Sequence, residues 1–127
     1  MMGYIPINPN PNRNQTGDCV IRAICVAEDR DWDDVFLDIM ATCFIEKLMI
    51  EDNRLWNFYL HKLGYRRHII PDTCPDCYTV REFAEDHPEG TYILGTGTHA
   101  IGVVSGNYYD SWDSGSRVPI FYWKKEV

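Results

Sequence analysis

Apolar residues recur at helical spacing through the first two thirds of the chain and then give way to short runs rich in β-branched and aromatic side chains. Residues 1–17 fit neither pattern. They are rich in proline and asparagine, which predicts an irregular lead-in lying across the surface. Asp18 then stands as a helix N-cap before Cys19, and Val20, Ile21, Ala23, Ile24, Cys25, Val26 and Ala27 follow with hardly a polar break. A helix apolar nearly all round is buried, so this one is expected at the centre of the fold. From Asp31, another N-cap, the residues Trp32, Val35, Phe36, Ile39, Met40 and Cys43 fall at steps of three and four and predict an amphipathic helix. A third helix is expected from about Asp52 to Leu63, with Gly64 ending it. A fourth begins at the capping box Thr79-Val80-Arg81-Glu82 and stops before His87-Pro88. After Gly90 the runs TYILGT, HAIGVV, NYYDSW and PIFYWKK predict a meander of antiparallel strands. Helices followed by strands describe an α+β domain, with the buried first helix packed on the sheet.

A length of 127 residues fits one domain, and 45% hydrophobic with 24% charged residues is the composition of a chain that folds. The formal net charge of -7 repels phosphate backbones and anionic lipid, so neither nucleic acid nor a membrane is an expected partner. No window approaches the roughly 18 apolar residues of a membrane span, and the N-terminus lacks the layout of a signal peptide. The expected place of work is the cytoplasm, and the oligomeric state is left open.

The five cysteines do not have the regular spacing of a secreted disulfide framework. Cys25 and Cys43 lie within helical apolar patterns and are expected to be core residues. Cys74-Pro75-Asp76-Cys77 has the C-x-x-C form of half a zinc site or of a redox dithiol. A second close pair is missing, His68 and His87 are the nearest complements, and no βαβ pattern surrounds the motif. An ordinary loop is therefore expected, with no metal and no cofactor. The acidic run from Asp29 to Asp34 likewise reads as a solvated helix start rather than a cation site.

Cys19 draws attention by its position. At a helix start, unpaired backbone N–H groups and the positive end of the helix dipole favour a thiolate and can also donate to an oxyanion. The carboxylate of Asp18 opposes this unless it is spent on capping. His99 opens the run HAIGVV directly after Gly95-Thr96-Gly97-Thr98, where its ring can project past the sheet edge. Runs HAIGVV and NYYDSW are close enough for a tight hairpin with Gly106 at its tip. With Ser105-Gly106 as the loop, Val104 faces Asn107 and His99 faces Trp112. Asp110 then shares a face with His99 at a diagonal step; with Gly106-Asn107 as the loop it keeps that face but slides further along the strand, whereas Asp113 shares the face only with an odd loop or a bulge.

The stretches QTGDC, THAIGVV and YDSWD resemble, in that order, papain-like cysteine peptidases in the broad sense, including the bacteriocin-leader peptidases of transporters. Asp110-Ser111-Trp112 is similar to the family's Asn-Ser-Trp with Asp for Asn, and Asp18-Cys19 is similar to the leader peptidases. A closer likeness is to small uncharacterised proteins of phages and gut-type bacteria with a TGDC…HPEGTYI…H…YDSWD pattern. The matched motifs cover about a quarter of the chain. The resemblance implies a papain-like α+β fold and a Cys19-His99-Asp110 triad, with Trp112 shielding the His-Asp pair and Tyr108 or Tyr109 lining a cleft. It also implies an oxyanion-hole Gln several residues before the cysteine. Gln15, only four residues upstream, is the first choice, with Asn14 and Asn12 as alternatives.

The chemistry so implied is acyl transfer on a peptide or protein, as a cysteine peptidase or isopeptidase. Deamidation and transamidation use the same residues. An idle papain-like domain that binds or inhibits a partner protein is the alternative, and a zinc-binding interaction module built on Cys74 and Cys77 is a third reading.

Overall fold

The computed structural model describes residues 3–126 as four helices and one six-stranded sheet. In chain order these are β1 (Tyr4–Pro6), α1 (Cys19–Glu28), α2 (Trp32–Glu46), α3 (Asn53–Lys62), β2 (Tyr65–Ile69), α4 (Val80–Asp86), β3 (Thr91–Gly95), β4 (Ala100–Val104), β5 (Asn107–Asp110) and β6 (Phe121–Lys125). The architecture is mixed α and β. No helix among the described residues is long and apolar enough to cross a membrane.

The caps account for where the helices start. Asp31 accepts from the Asp34 N–H, Asp52 from the Arg54 N–H, and Thr79 with Glu82 forms the expected reciprocal box. The acidic run is absorbed in the same way: Asp29 closes α1 in the left-handed conformation, Asp31 caps α2, and Arg30 pairs with Asp34 at 2.7 Å and Asp38 at 3.3 Å.

The strand order is β1-β5-β4-β3-β6-β2. It corrects the expected meander, because β6 returns to the far side of β3 instead of following β5. It also corrects the irregular lead-in: Tyr4–Pro6 adds to the sheet edge, parallel to β5. Strand β2, unforeseen in the sequence, lies on the opposite edge against β6. β5 ends at Asp110, short of the expected NYYDSW, because the Asp110 side chain accepts from the Ser111 N–H at 2.8 Å and the Ser114 hydroxyl at 2.7 Å and turns the chain out of the sheet.

Side chains alternate between two cores, as period-two geometry requires. Ile93, Ala100, Phe121 and Trp123 pack toward α1, α2 and α3, while Tyr92, Leu94, Ile101, Val103 and Tyr108 pack toward α4. Helix α1 is buried against β4, β3 and β5. Gly102 permits its close approach, since an added Cβ would stand 3.1 Å from the Ala23 carbonyl oxygen. Cys25 belongs to this core and half-buried Cys43 packs at its margin.

Cys74 and Cys77 are joined as a disulfide, which corrects the reading of an ordinary loop and leaves neither sulfur as a metal-binding thiolate. His68 and His87 are engaged elsewhere, the first on Glu126 at 3.0 Å and the second on the Phe83 carbonyl at 2.7 Å.

Candidate active site

The β4–β5 hairpin sets the geometry. Val104 pairs with Asn107, so the loop is Ser105-Gly106, and both loop residues have positive φ (52° and 82°) as a type I′ turn requires. This even loop puts Asp110 within reach of His99, and the His99 Nε2 to Asp110 Oδ2 distance is 2.6 Å. His99 itself lies just before β4, its carbonyl accepting from the Thr96 N–H at 3.0 Å. Asp113 is turned away, accepting from the Tyr108 hydroxyl at 2.6 Å and the Gly115 N–H at 3.0 Å.

Cys19 is the first residue of α1 and lines one cleft with His99, whose ring works to lower the thiol's pKa while the sulfur works to raise that of the ring. Because Nε2 is taken by Asp110, the nitrogen left for the sulfur is Nδ1. The site shifts both partners. Burial works to raise the Cys19 thiol, but His99, the Ala100 backbone N–H and the nearby Arg22 charge bring it below its ordinary value. Burial works to lower His99, yet the Asp110 carboxylate and the sulfur hold its pKa at about 9. Asp110 resists the upward push of burial through its bonds to His99, Ser114 and the Ser111 N–H, and lies low. Opposite shifts of this kind favour a thiolate beside an imidazolium.

Asp18 does not cap α1, contrary to expectation. Its carboxylate is paired with buried Arg22 and accepts from the Trp32 indole N–H at 2.9 Å. Two consequences follow. The acid beside the nucleophile is neutralised, and no side chain occupies the first-turn N–H groups of α1, which stay available to an oxyanion. Arg22 also reaches Asp110 Oδ1 at 3.4 Å, so one guanidinium one turn below Cys19 ties the helix start to the histidine's partner. Sequence reading missed this residue and Ser114. Arg22 had a signal, as the one cation in the middle of an otherwise apolar stretch of helix must find buried partners. Ser114 had none, because one of three serines in the loop after β5 fits a turn equally well.

Cys19 and His99 open onto a cleft of about 480 Å³ also lined by Asn8, Asn14, Gln15 and Trp112. Gln15 and Asn14 thus reach the site and Asn12 does not line it. Asn8, unforeseen, does. Trp112 is 43% exposed and its ring centroid lies 5.2 Å from that of His99, covering one side of the imidazole. The expectation that Tyr108 lines a cleft is overturned: it is buried toward α4, where its hydroxyl serves Asp113 and Arg81. Half-buried Tyr109 does not line the cleft either. Compared with known proteins, the chain matches no family model, no curated protein and no solved structure.

Proposed function

We propose that this chain is a thiol-dependent acyl-transfer enzyme on a papain-like scaffold, a cysteine peptidase or isopeptidase acting on a peptide or protein. The observation that carries the reading is the constellation in which a helix-start cysteine shares a cleft and opposite pKa shifts with a histidine that is bonded in turn to a buried carboxylate: Cys19, His99 and Asp110. Support for the papain-like scaffold comes from the cysteine helix buried against an antiparallel hairpin that bears the other two groups, in the same chain order as the motifs.

In this reading the Cys19 thiolate attacks a substrate carbonyl, and the charge on oxygen is met by first-turn N–H groups of α1 with Gln15 or Asn14 as side-chain donor. The His99 imidazolium protonates the leaving amine as the C–N bond breaks, giving a thioester and neutral histidine. His99 then takes a proton from water, whose oxygen attacks the thioester and releases the acid and the thiolate. Asp110 holds the Nε2 proton throughout and fixes the tautomer.

The test is to incubate wild-type protein and Cys19→Ala with a peptide library and with a cell lysate, reading new termini, deamidated glutamines and new isopeptide bonds by mass spectrometry. Products that need Cys19 are expected with wild type only. A reaction pattern identical for the two proteins, together with a Cys19 no more reactive than Cys43, overturns the proposal.

A further inference from the structure

Cys19 stands at the junction of two clefts. Besides the polar one beneath Trp112, a second of about 450 Å³ opens toward α3 and shares Gly17, Cys19 and Thr98 with the first. A chain laid across this junction with its carbonyl at the sulfur would send a neighbouring side chain into the second cleft. Its walls are apolar, from Val20, Ile50 and Trp56. The indole N–H of Trp56 is already spent on the Ile50 carbonyl at 2.6 Å, so the wall offers carbon surface rather than a donor. One ionised group remains, the exposed carboxylate of Glu51. None of the ion pairs among the described residues uses it.

An apolar slot with one unneutralised carboxylate suits a long aliphatic stem that ends in a cation. We propose that this cleft is a side-chain subsite for lysine or arginine next to the bond attacked, so that the substrate is a basic peptide segment. The proposal rests on the acyl-transfer reading above and adds its specificity. The net charge of -7 acts in the same sense, raising the local concentration of cationic chains over anionic ones.

The experiment alkylates Cys19 with chloroacetamides that differ only at the end of a lysine-length arm, which carries an ammonium, a methyl or a carboxylate group. Site and rate are read by peptide mass spectrometry. At low salt the ammonium arm should react about fivefold faster than the methyl arm, the range of an exposed ion pair, and the carboxylate arm should be slowest. Glu51→Gln should bring the ammonium and methyl arms within about twofold, and Glu51→Lys should reverse the order. Glu46→Gln, which removes an exposed carboxylate at the end of α2, should keep the wild-type order. Equal rates for the three arms at a reactive Cys19 would overturn the subsite and leave the acyl-transfer reading standing. So would a preference that survives Glu51→Gln, since the whole molecule's potential would then be its source. A Cys19 slower than Cys43 toward every arm and toward plain iodoacetamide overturns both.

Discussion

At the scale of single residues, the opposite shifts of Cys19 and His99 dictate a pH profile. Alkylation of Cys19 should rise through a pKa below the ordinary thiol value, because protonating the sulfur removes the nucleophile. Turnover needs the imidazolium as well, so it should fall as pH passes about 9, where His99 loses its proton. A bell bounded on the alkaline side near that value is expected, and a rate that keeps climbing beyond pH 10 would argue against it. His99→Ala should return Cys19 to the ordinary thiol range. Asp110→Ala should move it part of the way and cut turnover, by less than the roughly 10⁴ seen in serine triads because the thiolate is already formed. Asp113→Ala, which removes contacts with Tyr108, Arg81 and the Gly115 N–H but none with His99, should barely change either readout. Arg22 belongs to the same network from beneath. Arg22→Met would remove the cation shared by the carboxylates of Asp18 and Asp110, both nearly fully buried, leaving Asp18 with only the Trp32 indole, and should destabilise the fold by about 3 kcal/mol in denaturant titration. Little change in stability would mean that neither carboxylate depends on the guanidinium.

Between elements, the contact of α1 with β4 governs how far the sulfur sits from the ring. Helix α1 carries Cys19 at its start, β4 follows His99 directly, and at Gly102 the helix backbone leaves little room for a side chain. Gly102→Ala places a methyl group 3.1 Å from the Ala23 oxygen and 3.4 Å from the Val26 side chain. Backbone must shift to admit it. The expected cost is about 1–3 kcal/mol by thermal or chemical unfolding, with slower alkylation of Cys19 as helix and hairpin separate. A variant of unchanged stability and unchanged Cys19 reactivity would show that the packing has slack at this point. The hairpin contributes differently, since its loop length decides face and register and thereby selects Asp110 over Asp113.

Over the whole molecule, the sheet brings the N-terminal segment to the site from more than a hundred residues away. Strand β1 covers the free edge of β5, and the Ile7 N–H donates to the Asp110 carbonyl at 2.9 Å while the Tyr4 hydroxyl reaches it at 3.2 Å. The backbone that holds the acid is thus held in turn by the lead-in. Deleting residues 1–7 should lower stability by at least about 2 kcal/mol, at roughly 1 kcal/mol per hydrogen bond lost, and should weaken Cys19 activation through a looser Asp110. Unfolding and alkylation rates of the truncated chain check this, and wild-type values for both would assign β1 no part in the site.

The elements legible in the sequence are those whose signals are local. Helix α1 follows from its apolar run and α2, α3 and α4 from patterns with caps at their starts, and the β4–β5 hairpin follows from a two-residue loop containing Gly106, either placement of which keeps Asp110 on the face of His99. Period-two alternation then puts Asp110 near His99 without knowledge of any other element. Tertiary structure decided the rest. β1 has three residues and no alternation to read, and its partner lies at the other end of the chain. The order of strands depends on which edges are free once the sheet assembles, a competition that no short window encodes. Asp18 has the residue type of a cap, yet it serves Arg22 and Trp32 instead, because a guanidinium buried inside an apolar helix must have a charged acceptor and this carboxylate is the one a turn away. The two clefts that meet at Cys19 exist only once the lead-in, the α2–α3 connection and the turn before His99 converge, which is why the residue types could point to the chemistry while only the fold gave it walls.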